Sequence, residues 1–210
     1  MGIRIRVAAL AAMSTLVIAG GLAGGAQANI LSLLPGSCAN QPESHPFTQW
    51  GDYNEYTPVP GGSFESGSVP WLLSGGAGTV AGNETFYVRS PTDSRSLALP
   101  AGSSATSPAS CTDIYHPTLR LFVRNTGSSR SHLTVDALYP GLLGSVQSSQ
   151  IGFLTGSGSW EPTPQLSLLL DNLLGTLSLD QTAIAFRFAP ADSLGNWRID
   201  DVYLDPFARG

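Results

Sequence analysis

The sequence predicts an all-β sandwich, and three observations carry that prediction. Short apolar runs recur with period 2, the spacing that buries one face of a strand and wets the other. Clusters of Gly, Pro, Ser and Asn separate the runs in the pattern expected of a sandwich or barrel. Two signatures, Phe64-Glu65-Ser66-Gly67…Trp71 and Trp197-Arg198-Ile199-Asp200-Asp201-Val202-Tyr203-Leu204, lie at opposite ends of the patterned region. First and last strands of a sandwich often run side by side, so the two signatures are expected to meet. That meeting would set Glu65 near Asp200 or Asp201, with an ion holding the edges together.

Residues 1–28 read as a secretory signal peptide. Arg4 and Arg6 form the basic start, Val7 to Leu22 the apolar centre, and Ala26-Gln27-Ala28 the cleavage site. A membrane anchor is the competing reading, but Gly20, Gly21, Gly24 and Gly25 interrupt a run already short for a span. Residues 29–60 form a leader rich in aromatics and turn formers, and residues 61–210 form the sandwich. Within the sandwich, Thr85 to Arg89 alternates, with Phe86 and Val88 on one side. Leu97 and Leu99 share a face before Pro100. Leu119, Leu121 and Val123 oppose Arg120, Phe122 and Arg124. Leu133, Val135 and Ala137 form the next stripe, then Ile184, Phe186 and Phe188, then the final strand over 197–205. Leu166 to Leu179 fits a helical turn as well as a strand; a strand, a turn near Asp171-Asn172 and a second strand is the reading preferred here.

Without residues 1–28 the chain has 182 residues, enough for one core, and 8 arginines against 15 acids give a net charge of −7. No lysine occurs. An acidic, lysine-free surface has no electrostatic footprint for nucleic acid or an anionic membrane, and Schiff-base, P-loop and Ser-x-x-Lys chemistries are excluded. The two cysteines, Cys38 and Cys111, are expected to pair in an exported chain. Closing that loop is worth roughly 4 kcal/mol on chain-entropy arithmetic. Free thiols or a redox pair are the alternative, disfavoured by the wide spacing and the lack of C-x-x-C.

Catalytic signatures are missing. His45, His116 and His132 have no second histidine at metal spacing, and no G-x-S-x-G or Gly-rich phosphate loop occurs. Asp52 with Glu55 offers a carboxylate pair of the kind glycoside hydrolysis needs, but paired surface acids are common. Asn83-Glu84-Thr85 fits an N-glycosylation sequon, a spacing frequent by chance.

The end signatures bring a resemblance into view. Residues 61–71, GGSFESGSVPW, resemble the N-G-x-F-E-x-G…W opening of jelly-roll (galactose-binding-like) carbohydrate-binding modules. Residues 94–99, SRSLAL, match the S-L-x-L strand that follows it, and WRIDDVYLD matches their closing x-I-D-D-V-x-L. The resemblance covers residues 61–205. It implies a jelly-roll sandwich, often with one structural calcium near the joined ends. The chain departs from that pattern in having Gly61-Gly62 for the usual asparagine, and in the preceding leader and its cysteine.

Calcium takes hard oxygen ligands. Glu65, Asp200 and Asp201 are the candidates, with backbone carbonyls completing the shell. Strand alternation sets Asp200 and Asp201 on opposite faces and favours Asp201, which would share the face of Trp197 and Ile199. The competing reading is that these acids cap backbone amides or pair with arginine. Glycan binding needs exposed flat rings beside hydroxyl-bonding polar groups. Trp50, Tyr53, Tyr56 and Trp160 are the candidates, the Trp50-to-Tyr56 cluster foremost; Trp71 and Trp197 belong to the core. The expected protein is a secreted, non-enzymatic monomer binding a polysaccharide or cell-wall glycan. An envelope, adhesion or structural protein is the alternative, and a hydrolase with an unrecognised site ranks last.

Overall fold

The computed structural model describes residues 42–112, 118–141, 145–168 and 182–205. Its regular structure is a jelly-roll sandwich of two antiparallel sheets. In the first sheet β10 (Glu161–Pro162), β7 (Thr118–Asn125), β13 (Asn196–Asp205), β4 (Arg95–Pro100) and β3 (Gly78–Ala81) lie in that order. Also in this sheet, β1 (Thr57–Pro58) pairs with β13 and β11 (Leu166–Ser167) with β7. The second sheet runs β2 (Leu72–Ser74), β5 (Ser104–Thr106), β12 (Thr182–Pro190), β8 (Leu133–Pro140), β9 (Val146–Leu154), with β6 (Ser110–Thr112) on β12. Helical structure among the described residues is one 3-10 turn, Thr48–Trp50. None of their helices is long and apolar enough to cross a membrane.

The period-2 stripes become the filling between the sheets. Leu97 and Leu99 of β4, Leu119, Leu121 and Val123 of β7, Leu133, Val135 and Ala137 of β8, and Ile184, Phe186 and Phe188 of β12 belong to one buried cluster. Phe64 and Trp71 of the opening signature enter the same cluster, with Trp71 5.0 Å from Phe64 and 5.8 Å from Phe188 between ring centres. Both indoles of this cluster keep their N–H satisfied: Trp71 donates to the Pro60 carbonyl at 2.9 Å and Trp197 to Ser131 Oγ at 3.1 Å. An unpaired donor there would cost about 1–3 kcal/mol.

The opening and closing segments do meet. Thr57 and Pro58 register with Leu204 and Tyr203. The contact continues as Val59 N–H to Val202 O at 2.9 Å and Val202 N–H to Gly62 O at 3.2 Å. A methyl at position 62 would stand 2.9 Å from the Val59 carbonyl oxygen and 3.1 Å from Val202 Cβ. The close approach of these two segments therefore requires glycine at 62.

Residues 42–56 form a second layer on the outer face of the first sheet. Phe47 and Tyr56 bury completely with Phe122, Trp160 and Tyr203. Phe47 stacks on Phe122 at 5.4 Å and meets Tyr56 and Tyr203 edge-on. This cover explains why β7 is buried on both faces despite its alternating sequence.

Two sequence expectations are corrected here. Residues 85–89 are a loop rather than a strand, and Glu84 takes up the Phe86 and Val88 amides that a ladder would have used. Strict alternation along β13 also fails: a bulge between Asp200 and Tyr203 inserts a residue, with Asp201 at φ +43°. Trp197 and Ile199 face the core as expected, but Val202 and Leu204 continue that face in place of Asp201. Residues 169–181, 1–28 and Cys38 lie outside the described residues, whereas Cys111 is buried on β6.

Candidate functional site

The bulge produces the most unusual electrostatics among the described residues. Asp200 and Asp201 are both buried, and Glu84, read from sequence only as the centre of a sequon, is buried beside them. Asp200 Oδ2 accepts from the Glu84 N–H at 2.9 Å and its Oδ1 from the Asp201 N–H at 2.9 Å. The Glu84 carboxylate accepts from the Phe86 N–H and, at 2.9 Å, from the Val88 N–H. Asp201 has neither oxygen bonded, and Asp93 Oδ2 is likewise buried without a partner. Burial raises the Asp201 carboxyl to about 7, reinforced by the charges of Glu84 and Asp93. Burial and the adjacent Asp201 charge raise Asp200 to about 9.

Glu65 lies on the flank of this cluster, close enough for its charge to act on Asp201 and Asp93. Its carboxylate already accepts from the Ser94 and Arg95 N–H groups at 2.9 and 2.7 Å. A cavity of about 120 Å³ adjoins Asp201, walled by Pro58 to Ser63 and Arg89. A cation fits this setting on charge, since buried carboxylate oxygens without donors are costly unless paired. It fits on donor chemistry too, because the oxygens are hard. Among the described residues, however, no three acidic, His or Cys side chains converge closely enough to chelate an ion by themselves.

The second feature is an open groove of about 570 Å³, bordered by Gly51, Asp52, Tyr53, Asn54, Arg120 and Gln165. Gly51, at φ +77°, ends the Thr48–Trp50 turn and redirects the chain so that Tyr53 projects, 74 % exposed. Behind it Asp52 is the hub. Its Oδ2 accepts from Arg120 Nη1 at 2.6 Å, from the Tyr56 hydroxyl at 2.7 Å and from Gln165 Nε2 at 3.1 Å; its Oδ1 accepts from the Asn54 N–H at 3.1 Å. Burial works to raise the Asp52 carboxyl, but the bonds from Tyr56, Arg120, Asn54 and Gln165 outweigh it and hold it below the ordinary value. Burial, then the bond to Asp52, pushes the Tyr56 phenol up to about 12. Arg120 is fixed on its other side by Nε donating to the Thr163 carbonyl at 2.9 Å, with its guanidinium 4.1 Å above the Phe47 ring. The polar groups at the groove are thus held rigidly, with little ordering left for a ligand to impose.

Of the four rings expected to face a ligand, Tyr53 is exposed and Trp50 half-buried. Tyr56 and Trp160 are corrected to the core: 0 % and 7 % exposed, they pack with Phe47, Phe122 and Tyr203 and offer no free ring face. Sequence reasoning missed Phe86 and Tyr87, exposed at 38 % and 49 %, because alternation consigned them to a strand. It also missed Arg120 and Gln165, which come to the groove from elements distant in sequence.

No protein-family model and no curated protein matches the chain. Among solved structures, the CBM22-1 xylan-binding domain of Paenibacillus barcinonensis Xyn10C is similar at 14 % identity, over 70 % of this chain and 93 % of that one, with a TM-score of 0.48. A family 16 carbohydrate-binding module-2 is similar at 15 % identity, over 70 % and 99 %, with a TM-score of 0.46. The family 22 module at the C-terminal end of Clostridium thermocellum Xyn10B gives 17 %, 69 %, 89 % and 0.46.

Proposed function

We propose that this protein is a non-catalytic glycan-binding protein that takes a polysaccharide in the groove beside Tyr53. The observation that carries the reading is the pairing of one widely exposed phenol ring with a fixed set of amide, carboxylate and guanidinium groups. A ring face suits the apolar face of a pyranose, and convergent polar groups suit its hydroxyls. Hydrolysis of a glycosidic bond needs two carboxylates in acid and base roles. Among the described residues lining the groove, Asp52 alone is acidic, and four donors bind it in its charged form.

In this reading the chain is exported by residues 1–28, acts as a monomer outside the cell and carries the Cys38–Cys111 disulfide. Asp201 supplies the carboxylate for one structural calcium, with backbone carbonyls from the Pro58–Ser63 segment, while Asp93 and Glu65 add negative charge from the flank. The ion would neutralise the acid cluster and fasten the first segment to the last strand.

Affinity electrophoresis in gels containing xylan, galactan or mixed-linkage β-glucan tests the groove. At least one polymer should retard the protein, and Tyr53→Ala should abolish the retardation. Because Tyr53 is exposed, the variant's melting temperature should stay near that of wild type. Full retardation of Tyr53→Ala by the same polymer rules the groove out.

A further inference from the structure

The loop after β3 is built in an unusual way. Glu84 is fully buried, yet its carboxylate accepts the N–H groups of Phe86 and Val88, two and four residues on. Its own N–H is tied to Asp200. The loop is therefore clamped from inside, and the two residues at its crest, Phe86 and Tyr87, are turned outward. Tyr87 is held at φ +53°, a left-handed conformation that costs a non-glycine residue about 1 kcal/mol or more. Phe86 leans on Trp50 and Phe122, whereas Tyr87 keeps its ring 49 % exposed on a strained backbone.

The crest is joined to the groove. Phe86 meets Trp50 edge-to-face at 4.9 Å. Trp50 lies 6.2 Å from Phe47, whose ring sits beneath the Arg120 guanidinium. Trp50 also precedes Gly51 and Asp52 of the groove wall directly. Through Trp50 the aromatic crest adjoins the segment that walls the polar groove.

The charges of the described residues lining the groove are compensated. Arg120 and Asp52 are paired at 2.6 Å with side chains only 8 % and 9 % exposed, so the guanidinium is already committed. Glu84 directs its charge inward to amides.

We propose that Phe86, Tyr87 and Trp50 form a second, apolar subsite that continues the Tyr53 groove, so that the ligand is an uncharged polysaccharide chain bound through several consecutive sugar rings. This rests on the groove reading and extends it to a ligand class. A uronate-bearing or sulfated chain finds no uncommitted cation among the described residues lining the groove. A single sugar fills one part of the face only.

The test uses the mature chain with Tyr53→Ala, Phe86→Ala and Tyr87→Gly. The last removes a ring while relieving the left-handed backbone, so it should not weaken the fold. Affinity electrophoresis in xylan, galactan, mixed-linkage β-glucan and polygalacturonate is read together with sedimentation velocity of the protein alone. Retardation is expected in a neutral gel and not in polygalacturonate, with Phe86→Ala and Tyr87→Gly each weakening it by about tenfold, or 1.4 kcal/mol. Loss of retardation in Tyr53→Ala with none in Tyr87→Gly and Phe86→Ala keeps the groove and overturns the subsite. Retardation by polygalacturonate at equal strength overturns the uncharged ligand. Unchanged retardation in all three variants, or none in any gel for wild type, overturns groove and subsite together. Self-association of wild type that Phe86→Ala or Tyr87→Gly removes, with retardation unaltered, makes the crest a contact between copies and overturns the subsite.

Discussion

Replacing Asp201 by asparagine should make the calcium-free protein more stable at neutral pH, against the usual outcome for a buried substitution. The Asp201 carboxyl sits at about 7 in the folded chain against 3.8 in the unfolded one, raised first by burial and then by the charges of Glu84 and Asp93. The folded state thus holds its proton more tightly than the unfolded state. Stability from this group is fully present below pH 3.8 and lost as pH rises through 7. At about 1.4 kcal/mol per pKa unit, the ionised Asp201 costs on the order of 4 kcal/mol at pH 8 in the absence of a cation. The amide of the Asp201→Asn variant cannot ionise and escapes that cost. Urea unfolding in chelator from pH 4 to 8 should show wild type losing stability while Asp201→Asn stays flatter. The two should coincide near pH 4, and the variant should exceed wild type by a few kcal/mol at pH 8. Added calcium should narrow the gap: wild type gains about 2.7 kcal/mol at a hundredfold excess over its Kd, and the variant little. A variant no more stable than wild type at pH 8 in chelator, or one that gains as much from calcium, refutes the reasoning about the cluster.

Two further substitutions probe the scaffold. Phe47→Ala should cost about 3–5 kcal/mol in urea unfolding, because the ring is wholly buried between Phe122, Tyr56 and Tyr203; a loss under 1 kcal/mol would mean that the leader layer is dispensable. Gly62→Ala should cost about 1–3 kcal/mol, since its methyl must displace backbone at Val59 or Val202, and an unchanged urea midpoint would refute the close approach.

The interior was legible because period 2 maps directly onto a buried stripe: Leu119, Leu121 and Val123 needed no tertiary information to be placed. The adjacency of the two end signatures was legible because first and last strands of a sandwich often run side by side. Three things were not. A bulge adds one residue to β13, and alternation counted from Trp197 cannot foresee it, so Asp201 left the face assigned to it. Phe122 and Tyr56 looked like surface residues because their burial depends on a leader folding back from far along the chain. Glu84 carried no signal at all, since its role rests on amides at 86 and 88 that a strand would have used otherwise. Tyr53 was legible as an exposed ring within its cluster, but Arg120 and Gln165 reach the neighbouring Asp52 across 68 and 113 residues respectively.

Titration of the isotope-labelled mature chain with neutral xylo-, cello- and galacto-oligosaccharides, followed by backbone amide chemical shifts, tests the groove most directly. Shifts should concentrate at residues 50–54, 86–87, 120 and 165. Shifts gathered instead on the far sheet, around the exposed Phe153 stacked 4.1 Å from His132, would contradict the assignment.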